Sequence, residues 1–135
     1  MNSEIRSLED RKQMITQGII WIERQAKEDR WGLTESEVCT LLGGVSQQQY
    51  LSYIASAHSE ELSNLPDDVT DRLSLLLNIH KLLHLTAPRG MGYQFFNRPN
   101  IGSFLNGLSV KQYLLRDGSL DSMISICRWL GASAA

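Results

Sequence analysis

The chain has 135 residues, 42% of them apolar and 21% charged, which fits one compact domain able to build a core without metals or disulfides. Cys39 and Cys127 stand far apart with no second ligand residue beside either, so they read as buried thiols of a reducing compartment, not as a zinc site or a disulfide. No apolar run approaches the roughly 18 residues a membrane span needs. The opening MNSEIRSLED is too polar for a signal peptide, so the expected location is the cytoplasm, with no membrane partner.

The net charge of −2 conceals three blocks. Residues 1–30 balance six Lys/Arg against six Asp/Glu, residues 31–71 hold seven acids and no Lys or Arg, and residues 72–135 hold seven Lys/Arg and two acids. Blocks of 0, −7 and +5 can attract one another within a dimer or mark different partner surfaces.

Nearly every segment reads as helix, and the predicted fold class is all-α. Residues 8–29 carry Leu8, Met14, Ile15, Ile19, Ile20, Ile22 and Ala26 close to a helical stripe, with Ser7 and Asp10 resembling a cap at the start. RWGL breaks that run. Thr34 and Glu37 form a T-x-x-E capping box that opens a second helix to Leu42, which Gly43 and Gly44 end. Ser46 and Gln49 make an S-x-x-Q box that opens a third helix to about Ala57. HSEELSNLPDD, residues 58–68, is the most loop-like stretch and separates an N-terminal region, 1–62, from a C-terminal region, 63–135. VTDRLSLLLNIHKLLHL then gives a fourth helix with apolar residues on most sides, central to the core or to an interface. Pro88–Phe96 is expected to form a shorter helix, NRPNIGSFLNGLS a loop, VKQYLLRDG a short helix begun at Ser109, and SLDSMISICRWLG the last helix.

The stretch LLGGVSQQQYLSYIA has the outline of a DNA-reading helix-turn-helix. Cys39 is the small residue such a motif needs where its helices cross, Gly43 belongs in the turn, and Tyr50 and Tyr53 pin the second helix. The spacing fits if Gly44 counts as one inserted residue. The outward face then carries Ser46, Gln47, Gln48, Gln49 and Ser52, and glutamine can pair with adenine while serine bonds base edges or phosphate. A plain helical hairpin accounts for the same pattern. The segment has no Lys or Arg, so phosphate contacts must come from Arg24, Lys27 and Arg30, or from several copies acting together.

No catalytic constellation is present, and no cofactor or metal is expected. His80 and His84 lie four apart on one helix face, a spacing that can hold a metal, but nothing completes the site. Cys39 and His58 lack a positioned acid. Trp31, Trp129, Phe95 and Phe96 are large anchors that suit a core. Trp129, beside Arg128, also has the composition of an interface hot spot.

The segment FFNRPNIGSFLNGLSVKQYLLRDGSLDSMISICRWLG, residues 95–131, resembles the toxin-binding region of the Xre/MbcA/ParS antitoxin family. Phe95 and Phe96 stand at the aromatic end of its first helix, and Arg98, Pro99 and Asn100 give the RPN step. Leu105, Asn106 and Gly107 stand near a Leu-Gly-Gly, Ser109 matches a Ser/Thr, and Gly118 and Gly131 match the glycines around the last helix. LTESEVCTLLGGVSQQQYLSYI is similar to the family's helix-turn-helix, so the likeness spans about residues 31–131. Asn106, Val110 and GMGYQFF depart from the pattern.

The resemblance implies a bacterial antitoxin whose C-terminal region covers the active-site cleft of a partner toxin, typically a RES-domain enzyme that degrades NAD. It would contact that toxin through Arg98, Asn100, Arg116, Arg128 and Trp129. As a homodimer or larger hetero-oligomer it would sit on its own promoter DNA through the helix-turn-helix. A stand-alone regulator of the same fold, and a protein-binding module with no DNA contact, are the alternatives.

Overall fold

A computed structural model describes residues 3–102 and 104–134, and the side chains of 7–102 and 104–132. Ser103 of the loop motif lies outside these. The described residues form seven helices and no strand: α1 Ser3–Gln25, α2 Glu35–Leu41, α3 Gln47–His58, α4 Asp67–Thr86, α5 Gly92–Asn97, α6 Val110–Leu115 and α7 Leu120–Ala134.

Caps set most of the boundaries. The Thr34 hydroxyl accepts from Glu37 N at 3.1 Å, and the Glu37 carboxylate accepts from Thr34 N at 2.9 Å, closing the box that starts α2. Ser46 Oγ accepts from Gln49 N at 3.0 Å and starts α3. A second complete box, Ser109 with Gln112, starts α6. Asp117 and Ser119 together cap α7: Ser119 Oγ accepts from Ser122 N, and Asp117 Oδ1 accepts from Ser119 N and from the Ser122 hydroxyl.

Four expected boundaries are corrected. The first helix ends at Gln25 and not at residue 29, where the chain turns and Trp31 N bonds back to Gln25 O at 2.9 Å. The helix α1 starts at Ser3 and not at Ser7, because nothing between Ser3 and Leu8 breaks a helix, and Ser7 and Asp10 sit within it. Pro88 opens a turn in which Met91 N bonds to Pro88 O at 2.9 Å, and α5 begins only at Gly92. The last helix continues through Gly131 to Ala134, since no neighbour crowds that glycine and no turn is required there.

One continuous apolar cluster draws on α1 through α7. The helix α4 buries Val69, Leu73, Leu76, Ile79 and Leu83 and lies along α7, which buries Met123, Ile126 and Leu130 at the i, i+3, i+7 positions of one face. Each such side chain contributes about 1.5–3 kcal/mol by leaving water. At the other end of α4, fully buried Trp31 stacks on Phe96 with ring centroids 4.2 Å apart, and Trp21 meets its edge at 5.7 Å.

A polar clamp joins the N-terminal and C-terminal helices. Arg72 of α4 ion-pairs with Asp68 at 3.1 Å and donates to the carbonyl of Leu41, at the end of α2, and to that of Gly118, before α7. Gly118 has φ +65°, and a Cβ there would stand 2.8 Å from Thr40 Cγ2 and 3.0 Å from Thr40 O. Only glycine lets the corner before α7 approach the end of α2 this closely.

Candidate interaction surfaces

The first surface is built by α2, its turn and α3. Gly43 N bonds to Thr40 O and Gly44 N to Cys39 O, the paired bonds of a Schellman ending, with Gly43 at φ +101°. The turn aims α3 so that Tyr50 is buried and Tyr53 and Ile54 pack on the core. Ser46, Gln47, Gln48, Gln49 and Ser52 are all exposed. Ser46 is half committed, because its hydroxyl caps the helix.

The electrostatics of this surface are negative. The Tyr50 hydroxyl is pushed up to about 12 by burial and then by the carboxylates of Glu23 and Glu35, with the Cys39 thiol contributing between them. The Cys39 thiol is raised by burial and by Glu35. Both shifts are led by burial; the charge of the surface itself follows from the sequence, since residues 31–71 hold seven acids and no Lys or Arg, and that excess repels phosphate. Of the three cations expected to offset it, Arg24 and Lys27 are exposed. Arg30 is turned inward instead, donating to the Tyr93 hydroxyl at 2.8 Å with its guanidinium carbon 5.5 Å from that ring.

The second surface lies on the C-terminal helices. Trp129 of α7 stacks on Phe104 at 5.3 Å and 13°, Phe104 meets Tyr113 of α6 at 5.3 Å, and Arg116 covers the Tyr113 ring at 4.8 Å. Phe104 keeps 36% of its surface exposed, and Ile101 in the same loop is 98% exposed. Arg128, next to Trp129, also faces solvent. Arg116 and Pro99 line one shallow cleft with Glu37 and Lys111, and Arg98 is exposed beside Pro99.

No protein-family model, curated protein or solved structure matches this chain.

The structure therefore brings Arg116 and Trp129 into one row through Phe104 and Tyr113, two rings the sequence pattern does not single out. Their signal is faint: an aromatic at the start of a Leu-Asn-Gly turn, and another four residues into the following helix. Asn100 stands apart from that row. Its N and O bond to Leu108 O and Gly107 N at 3.0 and 2.7 Å, and its Oδ1 accepts from Gly102 N at 2.7 Å. It pins the loop that carries Ile101 and Phe104, so it acts on this surface through loop shape.

The histidine pair belongs to neither surface. The His80 and His84 rings are 4.4 Å apart and share Tyr93, and His80 also meets Trp21 and Trp31. His80 Nδ1 is buried without a hydrogen-bond partner in the protein. Burial, then His84, Arg30 and Lys81, push the His80 pKa below its usual 6.5. Among the described residues no three His, Cys, Asp or Glu side chains gather as a metal set, and no helix is long and apolar enough to cross a membrane.

Proposed function

We propose that this protein works by binding another protein through the row formed by Trp129, Phe104, Tyr113 and Arg116, as an antitoxin of the Xre/MbcA/ParS kind would bind its toxin. The observation that carries this reading is the row itself, in which Phe104 and Arg116 are exposed and Tyr113 and Trp129 are half-buried against the core beneath them. Rings and guanidinium groups held in place by one another lose little freedom on binding and fill partner pockets well, which is why such residues dominate interface energetics. Arg116 on the Tyr113 ring, together with the exposed Arg98 and Arg128 of the same C-terminal region, suits an acidic partner face or a pocket that takes a phosphate-bearing substrate.

On this reading the partner is a small RES-domain enzyme that consumes NAD, and the chain silences it by covering its active-site cleft. The chain performs no chemistry of its own. The glutamine row of α3 then places the loaded complex on promoter DNA as a helix-turn-helix, with several copies making up for the absence of basic residues around it. A stand-alone regulator is the second reading. It is favoured by the exposed Gln47, Gln48 and Gln49 in the first turn of α3 and opposed by the absence of Lys and Arg from residues 31–71.

The test is gentle purification of the tagged full chain from its native host. A stoichiometric small enzyme encoded beside it is the expected result, with capture lost in Phe104→Ala and Arg116→Glu. A chain that elutes alone and shifts its own promoter overturns the antitoxin reading in favour of the plain regulator.

A further inference from the structure

An apolar groove of about 360 Å³ runs between α1 and α4 on a face that neither surface above uses. Its walls are Met14, Gly18 and Trp21 of α1 and Thr70, Ser74 and Leu77 of α4, and none of its ten lining residues is charged. Met14 is 64% exposed and Leu77 37% exposed, so large apolar groups stand on both banks of a hollow floored by buried Ile15, Leu65 and Leu73, with Gly18 and Ser74 leaving room between the banks. A surface that carries both protruding side chains and the hollow to receive them is suited to an isologous contact, in which each copy supplies knob and hole.

The charges around the groove identify the occupant. The two helices run parallel: Arg11 of α1 pairs with Asp67 of α4 at one end, and Trp21 meets His80 at the other. At the first end the outer stripes of both helices are acidic, with exposed Asp10, Asp67 and Asp71 against the single Arg11. At the far end they are basic, with exposed Arg24 and Lys81 and no acid on those stripes. A groove that is acidic at one end and basic at the other is complementary to itself turned end over end. With a two-fold axis near Ser74, Asp67 lies seven residues before the axis and Lys81 seven after it, so each faces the other across the contact.

The size is adequate. Two helices of about 30 Å lying about 10 Å apart present roughly 600 Å² to a partner, close to the approximately 800 Å² per side of a stable interface. We infer that the α1–α4 groove is where a second copy of this chain docks, antiparallel and about a two-fold axis near Ser74. This contact leaves the glutamine row of α3 and the aromatic row of α6 and α7 outside the interface, and it does not depend on what either of them binds.

The experiment is the mass of the purified full chain across a concentration series, by light scattering or sedimentation. The expected mass is twice 15.2 kDa, falling to the single-chain value in Ser74→Arg and in Leu77→Glu, with the thermal melt of the isolated chain kept cooperative. Raising salt should weaken the dimer, since opposed charged ends are screened. Because Ser74 stands near the axis, Ser74→Cys should oxidise to a covalent dimer while Ser52→Cys on α3 should not. A single-chain mass at every concentration overturns the inference, and so does a dimer that survives both Ser74→Arg and Leu77→Glu or crosslinks through Ser52→Cys. Loss of partner capture with the dimer intact would instead count against the proposed function alone.

Discussion

Phe96 and Phe104 carry the same ring in opposite settings, and replacing each with Ala separates folding from recognition. Phe96 is fully enclosed and lies flat on Trp31 at 4.2 Å. Truncating an enclosed Phe removes its transfer free energy and leaves a cavity, together about 3–5 kcal/mol. That is a large share of the about 5–15 kcal/mol that holds a typical domain folded. Phe104 is 36% exposed. With nearly two-thirds of its area buried and water free to fill the gap, its truncation forfeits about 1–2 kcal/mol of the roughly 1.5–3 available to a fully buried ring. The assay is urea unfolding followed by circular dichroism, with partner capture measured on the same samples. For a slope of about 2 kcal/mol per molar urea, Phe96→Ala should lower the midpoint by about 2 M and Phe104→Ala by less than 1 M. Capture should be lost in Phe104→Ala under conditions where the variant is still folded. Equal stability losses in the two variants, or full capture by Phe104→Ala, would mean that the exposed ring is part of the core's support, and the recognition argument would fail with it.

Other consequences can be measured on the isolated chain. His80 sits among Trp21, Trp31, His84 and Tyr93 with its pKa lowered from 6.5 by burial, and then by His84, Arg30 and Lys81. Below pH 6.5 the unfolded chain therefore binds a proton at this site before the folded chain does. The contribution of neutral His80 should be present above that pH and fall away as pH drops toward the folded value. His80→Phe should flatten this part of the stability profile, and an unchanged slope between pH 7.5 and 5.5 would refute the assignment. Gly43→Ala forces a side chain into φ +101° and sets its Cβ 2.5 Å from Asp68 Oδ2, so urea unfolding should register a loss of about 1–3 kcal/mol. Thr34→Ala opens the capping box of α2 and should cost about 1 kcal/mol in the same assay. The Cys39 and Cys127 thiols, both raised by burial, should react with a thiol reagent far more slowly in the native protein than in urea. Rapid native labelling of Cys39 would contradict its placement at the α2–α3 crossing.

Local chemistry made the middle of the chain legible. Thr34 with Glu37, Ser46, the glycine pair at 43 and 44, and the loop that contains Pro66 each fix a boundary through bonds formed within a few residues, and the structure has those bonds. The start of α1 was not legible, because Ser7 and Asp10 imitate a cap while the helix has no reason to stop short of Ser3. Gly131 misled in the opposite way: a glycine ends a helix only where a turn is required, and none is required there. Trp31 and Phe96 were readable as anchors by size, but their stacking depends on where α4 and α5 meet, which no local pattern states. The row of Phe104, Tyr113 and Trp129 was the least visible feature. Its members lie 25 residues apart in sequence, from Phe104 to Trp129, and only the loop pinned by Asn100 brings them side by side.

Arg72 acts as a bolt between the end of α2 and the corner that leads into α7. Its guanidinium grips the last carbonyl of α2 and the Gly118 carbonyl at once, with Asp68 holding it from the side. Gly118 meanwhile rests directly on Thr40. Turning α2 to seat α3 differently would drag the start of α7 along or strand the Arg72 donors, and either costs more than a small rotation returns. The glutamine row and the aromatic row therefore ride on one chassis.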